Sequence, residues 1–167
     1  GENCDVEIVA GCGIHNCGDQ EARHDGIHTF HVGKNAKIRY VEKHYADGDG
    51  NGERIMNPQT VIFLAEGATM EMESTQIKGV DSTDRKTTAT MEAGSTLTIR
   101  EKIMTHGKQL ATTDFVVDMN GEDCACNLVS RSVARDSSKQ IFLSKIRGNN
   151  RCTGHSECDA IIMDSAS

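Results

Sequence analysis

Hydrophobic and polar residues alternate after five glycines that recur along the chain, which are Gly1, Gly33, Gly67, Gly94 and Gly121. At the third, fifth and seventh residues after each glycine, thirteen of fifteen positions are apolar, and the exceptions are Ser74 and Glu101. At the fourth and sixth residues, nine of ten positions are polar. A period of two is the pattern of a β-strand with one buried and one solvated face.

The spacing of these strands favours a solenoid. The anchor glycines lie 32, 34, 27 and 27 residues apart, and shorter strand-like runs, such as residues 60–64 and 115–119, precede them. Equivalent strands of successive turns would then stack in parallel, ~4.8 Å apart. A β-sandwich, with hairpins at about 8–12-residue spacing, is the alternative. We predict an all-β chain that folds as one parallel β-helix domain over residues 1–167.

Two segments and the two chain ends depart from this repeat. Residues 11–26 and 46–57 are predicted excursions, and the second contains Asp47-Gly-Asp-Gly-Asn-Gly-Glu53. This run resembles the start of a calcium loop, but Pro58 stands where a bidentate Glu is needed, so we predict a flexible acidic turn. Terminal turns of a solenoid need caps. None is evident after Gly1 or beyond the apolar run 161–163, so we expect a fragment lacking its terminal caps, or capping by self-association.

Composition narrows the class of protein. The chain has 37% hydrophobic residues, 4% aromatic residues and no Trp, which suits a narrow aliphatic core. A net charge of −7 disfavours nucleic-acid binding, which needs a basic surface. No apolar stretch approaches the ~20 residues of a membrane span. Seven cysteines without a secretory signal favour free thiols or metal ligands and a cytoplasmic protein.

Cys12, His15 and Cys17 lie close together in the first excursion, in Gly11-Cys-Gly-Ile-His-Asn-Cys-Gly18. Thiolate and imidazole are good ligands for zinc or iron, and glycines let a loop fold around an ion. The spacing matches no standard zinc ribbon, so a loop with incidental thiols is the alternative. The histidines at positions 24, 28 and 31 are interpreted as surface or loop residues.

Cys152, His155 and Cys158 form a second triplet near the C-terminus, and its donor types also suit zinc or an iron–sulfur cluster. Its alternative is again a set of incidental thiols. The two triplets lie several turns apart, so we do not expect them to meet within one chain. Cys4, Cys124 and Cys126 occupy inward positions of the repeat, where free cysteine usually acts as a small buried hydrophobe.

The chain resembles a known family. The most specific segment is Gly148-Asn-Asn-Arg-Cys-Thr-Gly-His-Ser-Glu-Cys-Asp-Ala-Ile-Ile-Met-Asp164, which follows Val129-Ser-Arg-Ser-Val-Ala-Arg135 and Lys139-Gln-Ile-Phe142. Residues 27–42 and 79–83 fit the same family. These segments resemble the core of the SufB/SufD iron–sulfur cluster assembly proteins, and the resemblance covers nearly the whole chain. It implies a right-handed parallel β-helix.

The resemblance also implies a function. Family members are scaffolds on which iron and sulfide are assembled into a cluster, with an ABC-type ATPase, SufC, as partner, and with pairing of β-helix cores as homodimers or SufB/SufD-type heterodimers. Cys158 best matches a family cysteine. The family core continues into further turns that carry a cysteine and a histidine tied to cluster assembly, and then into a helical segment that docks the ATPase. This chain ends before both, so we expect it to keep the fold while lacking much of that assembly site.

We therefore expect a scaffold rather than an enzyme, holding an iron–sulfur cluster transiently through Cys158 and Cys152, and through Cys12 and Cys17. His15 and His155 are candidate metal ligands. The alternative is a zinc-binding interaction module without cluster chemistry. A polysaccharide-degrading β-helix is disfavoured, because six aromatic residues leave few rings for sugar platforms.

Overall fold

The computed structural model describes all residues from Gly1 to Ser167 and is built entirely from β-strands and turns. The strands are β1 (Asp5–His15), β2 (Ala22–His24), β3 (Ile27–Val32), β4 (Lys37–Asp47), β5 (Arg54–Met56), β6 (Gln59–Leu64), β7 (Thr69–Lys78), β8 (Ser82–Met91), β9 (Thr96–Thr105), β10 (Leu110–Met119), β11 (Cys124–Ala134), β12 (Lys139–Gly148) and β13 (Cys152–Ile162). It contains no helix with the length and apolarity that membrane crossing requires.

The strands form two parallel sheets that face each other across a narrow core. The first sheet has six strands in the order β1-β4-β7-β9-β11-β13, so each successive turn adds one strand. The second contains β12, β10 and β8, and then divides into the pairs β6–β3 and β5–β2. Every paired strand runs parallel to its neighbour. The predicted parallel β-helix is confirmed, and the sandwich alternative is wrong.

The register of the first sheet differs from the glycine count by two residues at two steps. Counting from Gly33 and Gly67 would place Ile38 beside Met72, but the strands pair Ile38 with Met70. The same offset recurs between β9 and β11, where Leu97 pairs with Cys126 instead of Cys124. Because side chains alternate with a period of two, a slip of two residues leaves each side chain on its predicted face.

Aliphatic side chains and a few rings fill the core. One cluster of 18 buried residues runs between the sheets, with Tyr40, Phe115 and several methionines among its largest members. Cys124 and Cys126 are buried within it. Burial raises the pKa of the Cys126 thiol to about 12, and a protonated thiol is a poor nucleophile and metal ligand. These cysteines therefore act as packing residues.

The two predicted excursions stack on each other as part of the solenoid. β2 pairs with β5, and the backbone N–H groups of Gly50 and Gly52 donate to the carbonyls of Asn16 and Gly18, at 3.1 and 3.0 Å. The Asn16 side chain also donates to the carbonyl of Gly52 at 3.1 Å. The acidic segment after β4 is thus held against the loop of the preceding turn.

Two glycines with positive φ allow a matched test of the stacking. Gly79 has φ 80° and Gly107 has φ 61°. A Cβ at Gly79 would overlap the carbonyl oxygen of Ala46, whereas a Cβ at Gly107 meets nothing within 4 Å. Gly107→Ala is expected to cost about 1–2 kcal/mol for its left-handed backbone alone, and Gly79→Ala about 3 kcal/mol or more because the backbones of two turns must separate.

Urea unfolding followed by circular dichroism measures both costs. Equal losses of unfolding free energy in the two variants would contradict the close approach of adjacent turns at Gly79.

Candidate functional site

A ladder of polar residues occupies one inward position of the six-stranded sheet. In-register pairs place its members on successive strands: Glu42 beside Ser74, Ser74 beside Glu101, Glu101 beside Ser130 and Ser130 beside Cys158. The first four are buried in the core and Cys158 is exposed. Apolar residues would be expected along this line, so the ladder is the main departure of the core from simple packing.

Arg85 crosses the core from the opposite sheet and connects the ladder to its neighbours. Its guanidinium donates to the Ser74 hydroxyl, to His44 Nδ1 at 2.9 Å and to Gln76 Oε1 at 3.2 Å. Its Nε lies 3.7 Å from Glu101 Oε1. Arg85 is 2% exposed, and a buried cation is stable only when it is paired and hydrogen-bonded. Arg85 is therefore the central charge of the interior.

Glu101 joins Arg85 to the C-terminal end of the ladder. Its carboxylate accepts hydrogen bonds from Thr113 at 3.0 Å and from Ser130 at 2.7 Å. These three residues line a cavity of about 20 Å³ together with Cys158, which is enough for about one water molecule. Burial, followed by the charges of Glu101 and Asp159, raises the pKa of the Cys158 thiol. The Cys158 side chain therefore contacts the polar interior in its protonated, thiol form.

Glu42 anchors the N-terminal end of the ladder. Burial alone would raise the pKa of Glu42, but His44, Arg85 and the Tyr40 hydroxyl overcome this effect and lower the pKa to about 2. Tyr40 donates to Glu42 Oε1 at 2.9 Å, and burial with the charge of Glu42 raises the pKa of Tyr40. Glu42 is therefore a buried carboxylate, and Tyr40 remains a hydroxyl donor beside it.

His44 lies between Arg85 and Glu42 and is neutral near pH 7. Burial, with the charge of Arg85, lowers the pKa of His44 in spite of the nearby Glu42. Its Nδ1 must accept from Arg85, because a guanidinium has no lone pair to offer. The proton of the neutral ring is then on Nε2. This atom lies 3.2 Å from Glu42 Oε1, but the two groups are not aligned for a hydrogen bond.

These contacts form one polar column through the solenoid, here called the interior column. It runs from Glu42 through His44, Arg85 and Glu101 to Ser130, with Cys158 at one end. Five steps between stacked strands separate β1 from β13, or roughly 24 Å. Cys12 lies at the other end, because its thiol approaches Glu42 and His28.

The structure divides the predicted triplet Cys12, His15 and Cys17. Cys12 is half-buried and turns toward the core, where burial and then the charge of Glu42 raise its pKa. His15 and Cys17 lie outside, with 2.9 Å between His15 Nε2 and Cys17 Sγ. His15 Nδ1 is 2.7 Å from Asp47. An imidazole oriented by a carboxylate and in contact with a thiol is an arrangement that can accept the thiol proton.

The structure also divides the triplet Cys152, His155 and Cys158. Cys152 and Cys158 share the inward face of β13, but six residues of strand separate them by roughly 20 Å. His155 points to the opposite face, where its Nε2 lies 3.2 Å from Glu157. Cys152 packs against the hydrophobic core cluster. The three side chains therefore do not converge on one ion within the chain.

Sequence reasoning missed the partners that the structure gives to Cys12. His28, interpreted as a surface or loop residue, lies in β3, and its Nδ1 is 3.1 Å from Glu42 Oε1 and 2.9 Å from the Tyr40 hydroxyl. Ligand atoms of Cys12, His28 and Glu42 all lie within 4.8 Å of one another. The available signal was Glu42 itself, a charged residue at an inward position of a predicted strand.

Replacing Arg85 tests whether its charge sustains the interior column. Arg85→Met is expected to cost about 3–5 kcal/mol of unfolding free energy, because it leaves the Glu101 carboxylate buried without a cation. Adding Glu101→Gln should restore part of this loss, since the remaining amide carries no charge. Chemical denaturation of the two single variants and the double variant measures the coupling. Strictly additive losses would contradict the pairing.

The pKa of Glu42 makes a pH-dependent contribution to stability. Its value of about 2 in the folded chain lies below the ordinary 4.5, so the contribution is complete above pH 4.5 and is lost as the pH falls toward 2. The contribution is on the order of 3 kcal/mol. The difference in unfolding free energy between wild type and Glu42→Gln should shrink over this interval, and Glu66→Gln, at an exposed position, provides the control. Parallel pH profiles for wild type and Glu42→Gln would contradict the assignment.

Comparison with known proteins identifies relatives of this chain. A family model described as "SUF system FeS cluster assembly, SufBD core domain" matches residues 1–167. An iron–sulfur cluster assembly SufBD family protein of Methanocaldococcus jannaschii is 29% identical over 137 residues, which cover 81% of this chain and 43% of that protein. Family members from Archaeoglobus fulgidus and Methanothermobacter thermautotrophicus are 24% and 25% identical, over 99% of this chain and 43% and 40% of their own lengths.

The chain thus spans about two fifths of the length of these relatives. The family model covers every turn of the solenoid and all residues of the interior column. The chain belongs to the SufBD family of iron–sulfur cluster assembly proteins.

Proposed function

We propose that this chain is a scaffold component of the SUF system and that it takes part in iron–sulfur cluster assembly without catalysing a turnover of its own. Family membership supports the general role. The observation that carries the proposal for this chain is the interior column, which has a cysteine, Cys12 or Cys158, at each end. A scaffold needs thiols at defined positions, and the polar groups of the column lie beside the half-buried thiol of Cys12 and the exposed thiol of Cys158.

The proposed cargo is iron and sulfide, held transiently by thiolates. Cys158 and Cys12 are the inner candidates, while Cys152 and Cys17 are further candidates on the same turns. Thiolate is the form that binds metal, so the raised pKa values of Cys12 and Cys158 mean that each must lose a proton on binding. His15 beside Cys17 and His155 beside Glu157 are candidate metal ligands on the outer face.

The proposed partners follow from the family resemblance. A SufC-type ABC ATPase would supply nucleotide hydrolysis, and a second SufB/SufD-type core, or another copy of this chain, would pair with the solenoid. We place this assembly in the cytoplasm, where all seven cysteines would remain free thiols, as in the structure.

Anaerobic reconstitution with ferrous iron and sulfide tests the proposal. Wild type is expected to retain iron and acid-labile sulfide with visible absorption, and Cys158→Ser is expected to retain less of both. Cys12→Ser should reduce the yield, whereas Cys126→Ala is the control because that thiol is buried in the core.

Each outcome has a defined meaning. Retention of iron and sulfide by Cys158→Ser at the wild-type level would contradict the role of Cys158. Binding of zinc with no uptake of iron or sulfide would favour the alternative of a zinc-binding interaction module.

A further inference from the structure

Three ligand-bearing side chains converge at the N-terminal end of the interior column. Cys12 lies on β1, His28 on β3 and Glu42 on β4, and one ligand atom of each lies within 4.8 Å of the other two. Neighbouring ligand atoms around a tetrahedral zinc-type ion lie roughly 3.3–3.8 Å apart, given bond lengths of about 2.0–2.3 Å. The 3.1 Å between His28 Nδ1 and Glu42 Oε1 already approaches this edge length, so small side-chain movements would complete the set.

The charge of this group matches a divalent ion. The thiolate of Cys12 and the carboxylate of Glu42 together carry two negative charges, and the imidazole of His28 is neutral when it binds a metal. A partly buried site avoids a large desolvation cost when its total charge is zero, and a divalent cation achieves this.

The surroundings hold the ligands on one side and leave the other side open. Tyr40 donates to Glu42 Oε1 at 2.9 Å, and a hydrogen bond to a ligating carboxylate orients it. The Tyr40 hydroxyl also lies 2.9 Å from His28 Nδ1, a contact that a metal bound at this nitrogen would replace. Behind Glu42, His44 Nε2 is fully buried and has no well-aligned hydrogen-bond partner. In contrast, the His28 side chain is 32% exposed. An ion could therefore reach the group from outside past His28.

We propose that Cys12, His28 and Glu42 bind one divalent transition-metal ion, either zinc or ferrous iron. The mixed sulfur, nitrogen and oxygen donors suit these borderline ions. Three protein ligands leave the fourth position for water or an incoming ligand, which is typical of exchangeable sites. The proposal goes beyond the proposed function and does not depend on it, because the site needs neither sulfide nor a partner.

Anaerobic titration of the chelator-treated chain with cobalt(II) tests the site, because cobalt replaces zinc or iron and reports thiolate ligation by a charge-transfer band. We expect one ion per chain with this band, and displacement of the cobalt by zinc or by ferrous iron. Cys12→Ser should abolish the band. His28→Gln and Glu42→Gln should weaken the affinity by about 100-fold or more, since even residues that only orient ligands contribute about 10–100-fold.

Three further variants keep the test decisive. Tyr40→Phe removes only the orienting hydroxyl and should weaken binding by about 10–100-fold while the thiolate band remains. The combined variant His15→Gln with Cys17→Ser tests whether the rival pair outside the solenoid holds the ion instead. Cys4→Ser removes a half-buried thiol that belongs to no proposed ligand group and should leave both the band and the affinity unchanged. Circular dichroism establishes that each variant is folded, and His28→Gln, at a partly exposed position, carries the test if Glu42→Gln does not fold.

The outcomes separate this proposal from its competitors. A band that survives Cys12→Ser but disappears in the His15/Cys17 variant would place the ion at the outer pair and overturn the proposal. Absence of cobalt, zinc and ferrous iron binding at micromolar concentration would also overturn it. Because no sulfide is added, failure of cluster reconstitution leaves this result unaffected, and the two proposals can fail separately.

Discussion

The charge of Arg85 is the constraint on which the interior of this solenoid depends. A guanidinium that is 2% exposed is stable in an aliphatic core only when it has hydrogen-bond acceptors and a nearby opposite charge. His44, Gln76 and Ser74 accept hydrogen bonds from the two terminal nitrogens. Nε makes no hydrogen bond but lies 3.7 Å from Glu101, which supplies the opposite charge. Each of these residues is itself buried and must be satisfied in turn, so the polar contacts extend from one end of the column to the other.

Parallel stacking makes such a column possible. In a parallel β-helix, the same strand position recurs in every turn, so one polar residue per turn produces a continuous line of polar groups about 4.8 Å apart. Glu42, Ser74, Glu101 and Ser130 follow this rule. Apolar residues would pack equally well at these positions. Met72 and Ile99, which precede Ser74 and Glu101 by two residues and so share their face, are buried apolar residues of this kind. The column is therefore the part of the core that packing does not explain.

The period-two alternation and the recurring glycines were sufficient to predict the fold. The hydrophobic pattern could not predict the strand register, because a shift of two residues leaves every side chain on the same face of its strand. Ser74 and Glu101 stood out as exceptions to the apolar rule, and the structure shows that both belong to the ladder. The triplets were grouped by closeness along the chain, although odd separations such as Cys12 to His15 place side chains on opposite faces of a strand. The group formed by Cys12, His28 and Glu42 draws on three strands, so only the stacking of the turns brings it together.

The two ends of the column differ in the chemistry they can perform. At the N-terminal end, Cys12 lies beside an ionised carboxylate and an imidazole, which are donors for a metal ion. At the C-terminal end, Cys158 meets Ser130, Thr113 and the already paired Glu101. These hydroxyls donate to Glu101 and provide no second strong metal ligand beside the thiol. A cation is therefore held better at the Cys12 end, while Cys158 requires additional ligands from outside this group before it can hold iron firmly. The two ends of the column therefore differ in function: the Cys12 end has the ligands for a metal ion, and the Cys158 end has a thiol without a second strong ligand.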